Sequence, residues 1–262
     1  MREQLVVLRG GGDLATGAVW RLWRAGFPVV VCELAHPLTV RRAVSVSSAV
    51  ALGATDVEGM PARLASSPEQ AREVAAQGVV AVLVSPDLPP LEPQVVIDAR
   101  LAKRNIDTSI DDAPFVVGLG PGFTAGVDVH AVVETLRGPR LGRVLWQGAA
   151  AANTGVPGDI GGRGAERVVH APAAGEVTWQ VQIGSRVAAG QQLGRVGEEV
   201  LAAPFDGVVR GLIAPGTAVP HGLKIADVDP RPDVDWHEIS DKALAVGGGV
   251  MEAVLTWISA AG

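Results

Sequence analysis

The sequence predicts an α/β protein: a doubly wound parallel sheet first, a small all-β module after it, and a helical tail packing back on the first part. Three observations predict it. Short, wholly apolar runs alternate with helical stripes up to about residue 145. A gapless internal repeat of offset 32 follows, rich in Gly, Pro and β-branched residues. Beyond it, Val246, Val250, Val254, Trp257 and Ile258 fall at helical spacing.

The elements follow in order. Leu5 to Leu8 is a fully apolar run of the kind buried in parallel sheets. Leu14, Ala15, Ala18, Val19, Leu22 and Trp23 then form one face of a helix, which Gly26 and Pro28 stop. Val29 to Cys32 is a second buried strand ending at Glu33. Ser67-Pro68-Glu69 is a helix start: a hydroxyl cap, a proline at the first helical position, and an acid in the first turn. Gly78 closes that helix. Val79 to Val84, Val95 to Ile97 and Phe115 to Val117 read as further strands, and Val127 to Leu136 as a helix. The glycine-rich stretch from Gly148 has no hydrophobic period and marks a junction or functional loop. The expected boundaries are therefore 1–147 for the doubly wound domain, 148–166 for the loop, 167–230 for the β module and 231–262 for the tail.

The repeat aligns 168–196 on 200–228, with nine of 29 pairs identical, among them Pro172/Pro204, Gly175/Gly207, Gly184/Gly216 and Gly190/Gly222. Each copy is a few short strands joined by tight turns. Neither is long enough to close a core, so the two are expected to pair with quasi-twofold symmetry.

The strongest chemical signal is Arg9-Gly10-Gly11-Gly12-Asp13-Leu14-Ala15-Thr16-Gly17, between the first strand and the first helix. Gly10, Gly12 and Ala15 satisfy G-x-G-x-x-[G/A], the Rossmann phosphate-turn pattern, in which small residues let backbone amides approach a phosphate. The unpaired N–H groups and positive dipole end of the helix stabilise an anion there. Glu33, 21 residues after Gly12, has the position of a carboxylate that accepts from ribose hydroxyls. Gly10, Gly11, Gly12, Asp13, Leu14, Thr16, Gly17 and Glu33 are thus candidate cofactor contacts; the plain alternative is a structural turn. A second glycine turn, with Gly118, Gly120 and Gly122, follows another strand and would face the first across a crevice, or serve as turn chemistry alone.

Other residues carry weaker signals. Asp111-Asp112 reads as a solvated pair before a metal or hydroxyl site, and Arg41-Arg42 as a helix start before a phosphate contact. Cys32, the only cysteine, reads as a buried inert thiol, which leaves no internal disulfide or Cys-based metal centre. Asn153, Thr154, Gly155 and Asp159 lie in the loop without an assigned role. Ser240 is a helix cap, and Lys242, one of three lysines, is free to point at a ligand. Gly247-Gly248-Gly249 reads as a bend before an anion cradle.

The composition narrows the classes. Twenty-eight Asp+Glu against 22 Lys+Arg, for a net charge of −6, argue against nucleic acid or an anionic membrane as partner. Hydrophobic residues at 48% exclude intrinsic disorder. No signal segment and no uninterrupted apolar run of about 18 residues is readable, so a cytoplasmic location is expected.

The whole chain resembles the YqeB-like accessory proteins of selenium-dependent molybdenum hydroxylases, whose N-terminal part is akin to the Rossmann domain of xanthine dehydrogenase accessory proteins. The matching stretches are RGGGDLATG at 9–17, FPVVVCEL at 27–34, VGLGPGFTAG at 117–126, NTGVPGDIGG at 153–162, HAPAAGEV at 170–177, GLKIADVDPR at 222–231 and ISDKALAVGGGVMEA at 239–253. Gly11 stands where that pattern has Ala. The repeat resembles biotinyl/lipoyl-type barrel-sandwich domains, but its central hairpin, Val196 to Val200, has no lysine for biotin or lipoyl attachment.

The resemblance implies a role in maturing or inserting a molybdenum cofactor, with a nucleotide or molybdopterin-type ligand held at the glycine turn. The partners it implies are a molybdenum hydroxylase apoenzyme or other maturation proteins, and a homo-oligomer is compatible with it. It assigns no catalytic residue and no metal ligand. Two other classes stand beside it: an NAD-dependent oxidoreductase, for which no acid or base opposite a nicotinamide is evident, and a non-catalytic scaffold with structural glycine loops.

Overall fold

A computed structural model describes residues 4–153 and 162–261. Packing divides them into two units. The first holds 4–37, 45–153 and 239–261, and the second holds 38–44 and 162–238.

The first unit is built on a nine-stranded sheet. Its strands are β1 (Val6–Arg9), β2 (Val29–Glu33), β3 (Ala54–Val57), β4 (Met60–Ala65), β5 (Val80–Val84), β6 (Val95–Asp98), β7 (Phe115–Leu119), β9 (Ala131–Val133) and β10 (Val144–Leu145). A two-stranded ribbon joins β8 (Thr124–Ala125) to β11 (Gly148–Ala149). The sheet order is β10-β9-β7-β6-β1-β2-β5-β4-β3, with β3 and β10 antiparallel to their neighbours and the pairings between them parallel. The chain moves outward from β1 on one side and returns to β6 on the other, so strand order reverses between β1 and β6.

Helices are α1 (Asp13–Arg24), α2 (Ala49–Leu52), α3 (Pro68–Ala76) and α4 (Asp241–Ala261). In α1, Ala15, Ala18, Val19 and Leu22 are fully buried, each contributing on the order of 1–3 kcal/mol. Ser67 caps α3, accepting from the Gln70 N–H at 3.2 Å, and α3 covers the sheet face of Val7, Val30, Cys32, Ala81 and Leu83.

The tail helix α4 continues through all three glycines, and two of them, Gly247 and Gly249, set how closely it packs. A Cβ on Gly17 of α1 would lie 2.2 Å from the Ala243 carbonyl oxygen, one on Gly247 would lie 2.4 Å from the Gly17 oxygen, and one on Gly249 would lie 2.1 Å from the Gly142 oxygen. Each glycine costs a helix interior roughly 1 kcal/mol against Ala, which close backbone contact offsets. By length and composition α4 is apolar enough to cross a membrane. Here Ala243, Val246, Val250, Ala253 and Val254 are buried within the first unit, the arrangement of a core helix.

The second unit contains β12 (Val168–His170), β13 (Gly175–Trp179), β14 (Arg186–Val187), β15 (Gln192–Val196), β16 (Glu199–Ala202), β17 (Gly207–Leu212), β18 (Ala218–Val219) and β19 (Lys224–Asp229). Two antiparallel sheets, β12-β19-β17-β14 and β16-β15-β13-β18, each take two strands from either repeat copy. Val177, Leu193 and Val196 of one sheet share a core with Val209, Ile225 and Val228 of the other. Segment 38–44 joins this unit: Arg42 Nε donates to the Leu212 oxygen at 2.6 Å, and Arg41 to the Glu238 oxygen at 3.0 Å. Both arginines bind backbone carbonyls of the β module.

The expected fold class, a Rossmann-like doubly wound parallel sheet plus a biotinyl/lipoyl-like barrel-sandwich, is corrected by this topology. The chain is mostly β, with one large mixed sheet, several smaller antiparallel sheets and a long C-terminal helix. Antiparallel strands close both edges of the large sheet, and β6 reaches β7 through a single 3-10 turn, Ile110–Asp112, rather than a crossover helix. The helix expected over Val127 to Leu136 is strand β9. Val129, Ala131, Val132 and Val133 are all buried, and the His130 N–H donates to the Val116 oxygen at 2.8 Å, extending the pairing with β7.

Candidate functional site

The carboxyl ends of β1, β6 and β7 carry the residues of interest. Gly10, at φ +96°, places its α-carbon against the Ala99–Arg100 backbone, where a Cβ would find atoms at 3.1 Å. Arg9 pairs in register with Asp98 and Asp98 with Gly118, so one strand separates the two glycine turns.

Within the first turn the candidates divide. Gly11 is buried under Val31, Val46 and Ser47, and its N–H donates to Glu33 Oε2 at 2.8 Å. The other Glu33 oxygen accepts from the Leu34 N–H at 2.8 Å. Glu33 therefore holds the turn rather than standing free for a ribose, and burial raises its carboxyl above the ordinary value, against those two amides. Thr16 is fully buried; its hydroxyl donates to the Gly12 oxygen at 2.9 Å and accepts from the Val46 N–H at 3.1 Å. Gly17 is taken up by α4. Gly10, Gly12, Asp13 and Leu14 remain half-buried, and α1 starts at Gly12 with no side-chain cap.

The second turn is shaped by close packing. A Cβ on Gly118 would enter the Phe123 ring, one on Gly120 would lie 2.4 Å from Thr135 Oγ1, and one on Gly122 would lie 2.6 Å from Arg104 Cα. The Gly122 oxygen accepts from the Asn105 N–H at 3.1 Å, so this turn positions the loop of Leu101 to Thr108. That loop holds two non-glycine residues in the left-handed region, Leu101 (φ +55°) and Lys103 (φ +64°). Such residues cost of order 1 kcal/mol or more each and persist where surrounding contacts fix them.

Those contacts are a buried polar network. Arg9 donates to Thr108 Oγ1 at 3.0 Å and to Asp107 at 2.9 Å, and Thr108 donates to Asp98 at 2.7 Å. Arg100 bonds Asp98 at 2.6 Å and Asp107 at 2.7 Å. Its two arginines hold the Asp107 carboxyl below the usual range despite the opposing effect of burial. None of these five residues was nominated by sequence. The available signal was a polar residue, Arg9 or Asp98, closing an otherwise apolar strand.

Electrostatic interactions link Lys242 to two other cations, Lys103 and Arg137, and to Asp13 at the start of α1. Lys242 opens α4, Lys103 comes from the braced loop, and Arg137 is held by a two-bond pair with Asp241 at 2.8 and 2.9 Å. Burial lowers the pKa of Lys242 first, then repulsion from Lys103 and Arg137, with Asp13 and Glu134 opposing. Burial also lowers that of Lys103. Glu134 is itself occupied, accepting from the amides of Thr135, Leu136 and Ala151.

Other candidates lie elsewhere. Asp112 and Ser109 cap each other's backbone, and Asp111 and Asp112 line an open pocket of about 580 Å³ with Glu92 and His130, at the opposite edge of the sheet. Cys32 is buried, its thiol pushed up to about 12 by desolvation. Ser240 accepts from the Ala243 N–H at 3.1 Å. Thr154, Gly155 and Asp159 lie outside the described residues. Among the described residues no group of three or more His, Cys, Asp or Glu is disposed to hold a metal.

Fold and site together define a mixed-sheet protein whose first glycine turn lies where its strand order reverses, the position at which open α/β sheets bind ligands. No family model matches the chain. It is 47% identical over 257 residues, 97% of its length, to the uncharacterized protein YqeB of Escherichia coli strain K12, and the match supports a YqeB-like family. The chain spans about half of that relative, 48% of its length. Among solved structures it is similar to a succinylglutamate desuccinylase/aspartoacylase from Rhodobacter sphaeroides, at 18% identity and a TM-score of 0.27 over 88% of this chain and 86% of that one. A likeness at that score carries no argument about fold or activity.

Proposed function

We propose that the chain is a cytoplasmic accessory protein for maturation or insertion of the molybdenum cofactor of selenium-dependent molybdenum hydroxylases. In this reading it binds a nucleotide or pterin phosphate at the first turn of α1, and its partners are the hydroxylase apoenzyme or other maturation proteins. The motif resemblance along the chain supports the cofactor class. The observation that carries ligand handling is the start of α1, which has no side-chain cap, at the strand-order reversal, with the half-buried Lys242 interacting electrostatically with Asp13 in its first turn. A phosphate-bearing pterin suits that environment. The protein's own contribution is to orient it through backbone N–H groups.

The oxidoreductase alternative loses its ribose acceptor, because Glu33 is bonded to Gly11 and Leu34. Thermal unfolding with AMP, a cytidine nucleotide, NAD, FAD and isolated molybdopterin tests the reading. Molybdopterin or a cytidine nucleotide at about 100 times its Kd is expected to stabilise the chain by about 2.7 kcal/mol. Stabilisation by NAD alone, with an absorbance change on adding substrate, would favour the oxidoreductase, and no response to any ligand would favour a scaffold.

A further inference from the structure

We infer that His130 is a pH-operated latch on the β7–β9 pairing. As the neutral imidazole it closes the end of that pairing, and as the imidazolium it lets go of β7 and turns to the carboxylates of the adjoining pocket.

The latch is a pair of bonds to one residue. The His130 backbone N–H donates to the Val116 oxygen at 2.8 Å, and the Val116 N–H donates to Nδ1 of the His130 ring at 3.0 Å. The ring nitrogen thus takes the place of a backbone acceptor at the point where the ladder of Val117–Ala131, Gly118–Val132 and Leu119–Val133 begins. Strand β9 is in turn the sheet neighbour of β10, so its hold on β7 carries that edge of the sheet.

An Nδ1 that accepts a hydrogen bond cannot carry a proton, so the neutral ring keeps its proton on Nε2. A second proton has to go to Nδ1, and two donors would then face each other. Val116 is fully buried, so water does not replace the acceptor its amide loses. The protonated ring therefore relaxes by rotating away.

The destination is already in place. His130 lines the open pocket of about 580 Å³ together with Glu92, from the segment ahead of β6, and Asp111 and Asp112 of the 3-10 turn ahead of β7. Strand β7 contributes no charge, only the Phe115 ring with its centroid 5.6 Å from that of the imidazole. On the histidine's own segment, Asp128 is bonded to the Thr124 amide at 2.8 Å. Asp112 accepts from the Ser109 amide at 3.1 Å, which leaves Asp111 as the acid that acts on the ring. Burial lowers the pKa of His130, and Asp111 opposes it. Stability from this group is therefore complete above the ordinary 6.5 and is lost as pH falls below it.

The test uses the full 262-residue chain. His130→Asn places an amide oxygen where Nδ1 accepts and does not titrate, whereas His130→Phe keeps a ring without an acceptor. In urea unfolding the wild type is expected to match the Asn variant at pH 7.5. At pH 5.5 its unfolding constant is expected to exceed that of the Asn variant by about three- to tenfold, the weight of one hydrogen bond. The Phe variant is expected to be weaker than the Asn variant by a similar ratio at both pH values. The wild type also reports directly through the imidazole nitrogen resonances and Val116 amide exchange. The expected results are an unprotonated Nδ1 at pH 7.5, titration below 6.5, and lower Val116 protection at pH 5.5 after correction for the intrinsic rate. A proton on Nδ1 at pH 7.5, titration at or above 6.5, or equal pH dependence in wild type and the Asn variant would overturn the latch. Equal Val116 protection at both pH values would overturn the release.

Discussion

Adjacent glycines of α4 are expected to respond to alanine with opposite signs. At Gly247 a Cβ would sit 2.4 Å from the Gly17 carbonyl oxygen, so α1 and α4 must separate by about 0.6 Å to reach the 3.0 Å limit for real Cβ atoms. At Gly248 a Cβ meets nothing within 4 Å. Both substitutions gain helix propensity, about 0.8–1 kcal/mol. Gly248→Ala keeps that gain and is expected to raise the melting temperature by roughly 2–4 °C for a unit of this size. Gly247→Ala adds an overpacking cost of about 1–3 kcal/mol, because the obstacle is backbone and cannot rotate away. Its net effect is a loss of up to about 2 kcal/mol, or a fall of up to roughly 8 °C. Scanning calorimetry of both variants checks this, with urea unfolding to confirm the order. Equal stabilisation by the two alanines would refute close backbone contact between α1 and α4.

Two further outcomes follow from the β2 end. Burial raises the Glu33 carboxyl above its ordinary 4.5, so the folded chain holds that proton more tightly than the unfolded one. Stability from this group is complete below pH 4.5 and lost as pH rises beyond it. Glu33→Gln keeps an oxygen for the Gly11 N–H and is expected to match the native chain at pH 4 and exceed it at pH 7 in urea unfolding; lower stability at pH 7 would contradict the sign. Cys32, buried and pushed up to about 12, is expected to resist iodoacetamide at pH 8 until the protein unfolds, and labelling of the native chain would contradict its burial.

Local chemistry was legible wherever a residue answers to its neighbours in sequence. The β1–α1–β2 run, the Ser67 cap and the Ser240 cap all stand where their patterns put them. The 32-residue offset is expressed as strands shared between two sheets, because each copy alone exposes a face. Partner choice at long range was not legible. Glu33 has the spacing of a ribose acceptor, but no sequence rule says that the Gly11 amide reaches it first. Val127 to Leu136 carries apolar residues compatible with either period, and burial against β7 decided for a strand. The glycines of α4 read as a bend because the backbone that Gly247 and Gly249 pack on, at Gly17 and Gly142, is distant in sequence. Asp107 and Thr108 were invisible as partners because the residue that bonds them, Arg9, stands some hundred positions earlier.

The packing division has a practical consequence for anyone handling this polypeptide. The chain passes between the two units after residues 37, 44, 153 and 238, so no single cut yields either one intact. A fragment ending at residue 153 would lack α4 and leave the groove around Gly17 bare, and one starting there would lack segment 38–44. Expression of halves should therefore yield aggregation-prone pieces, whereas a nick in an exposed loop should leave both bodies held together by the remaining threads.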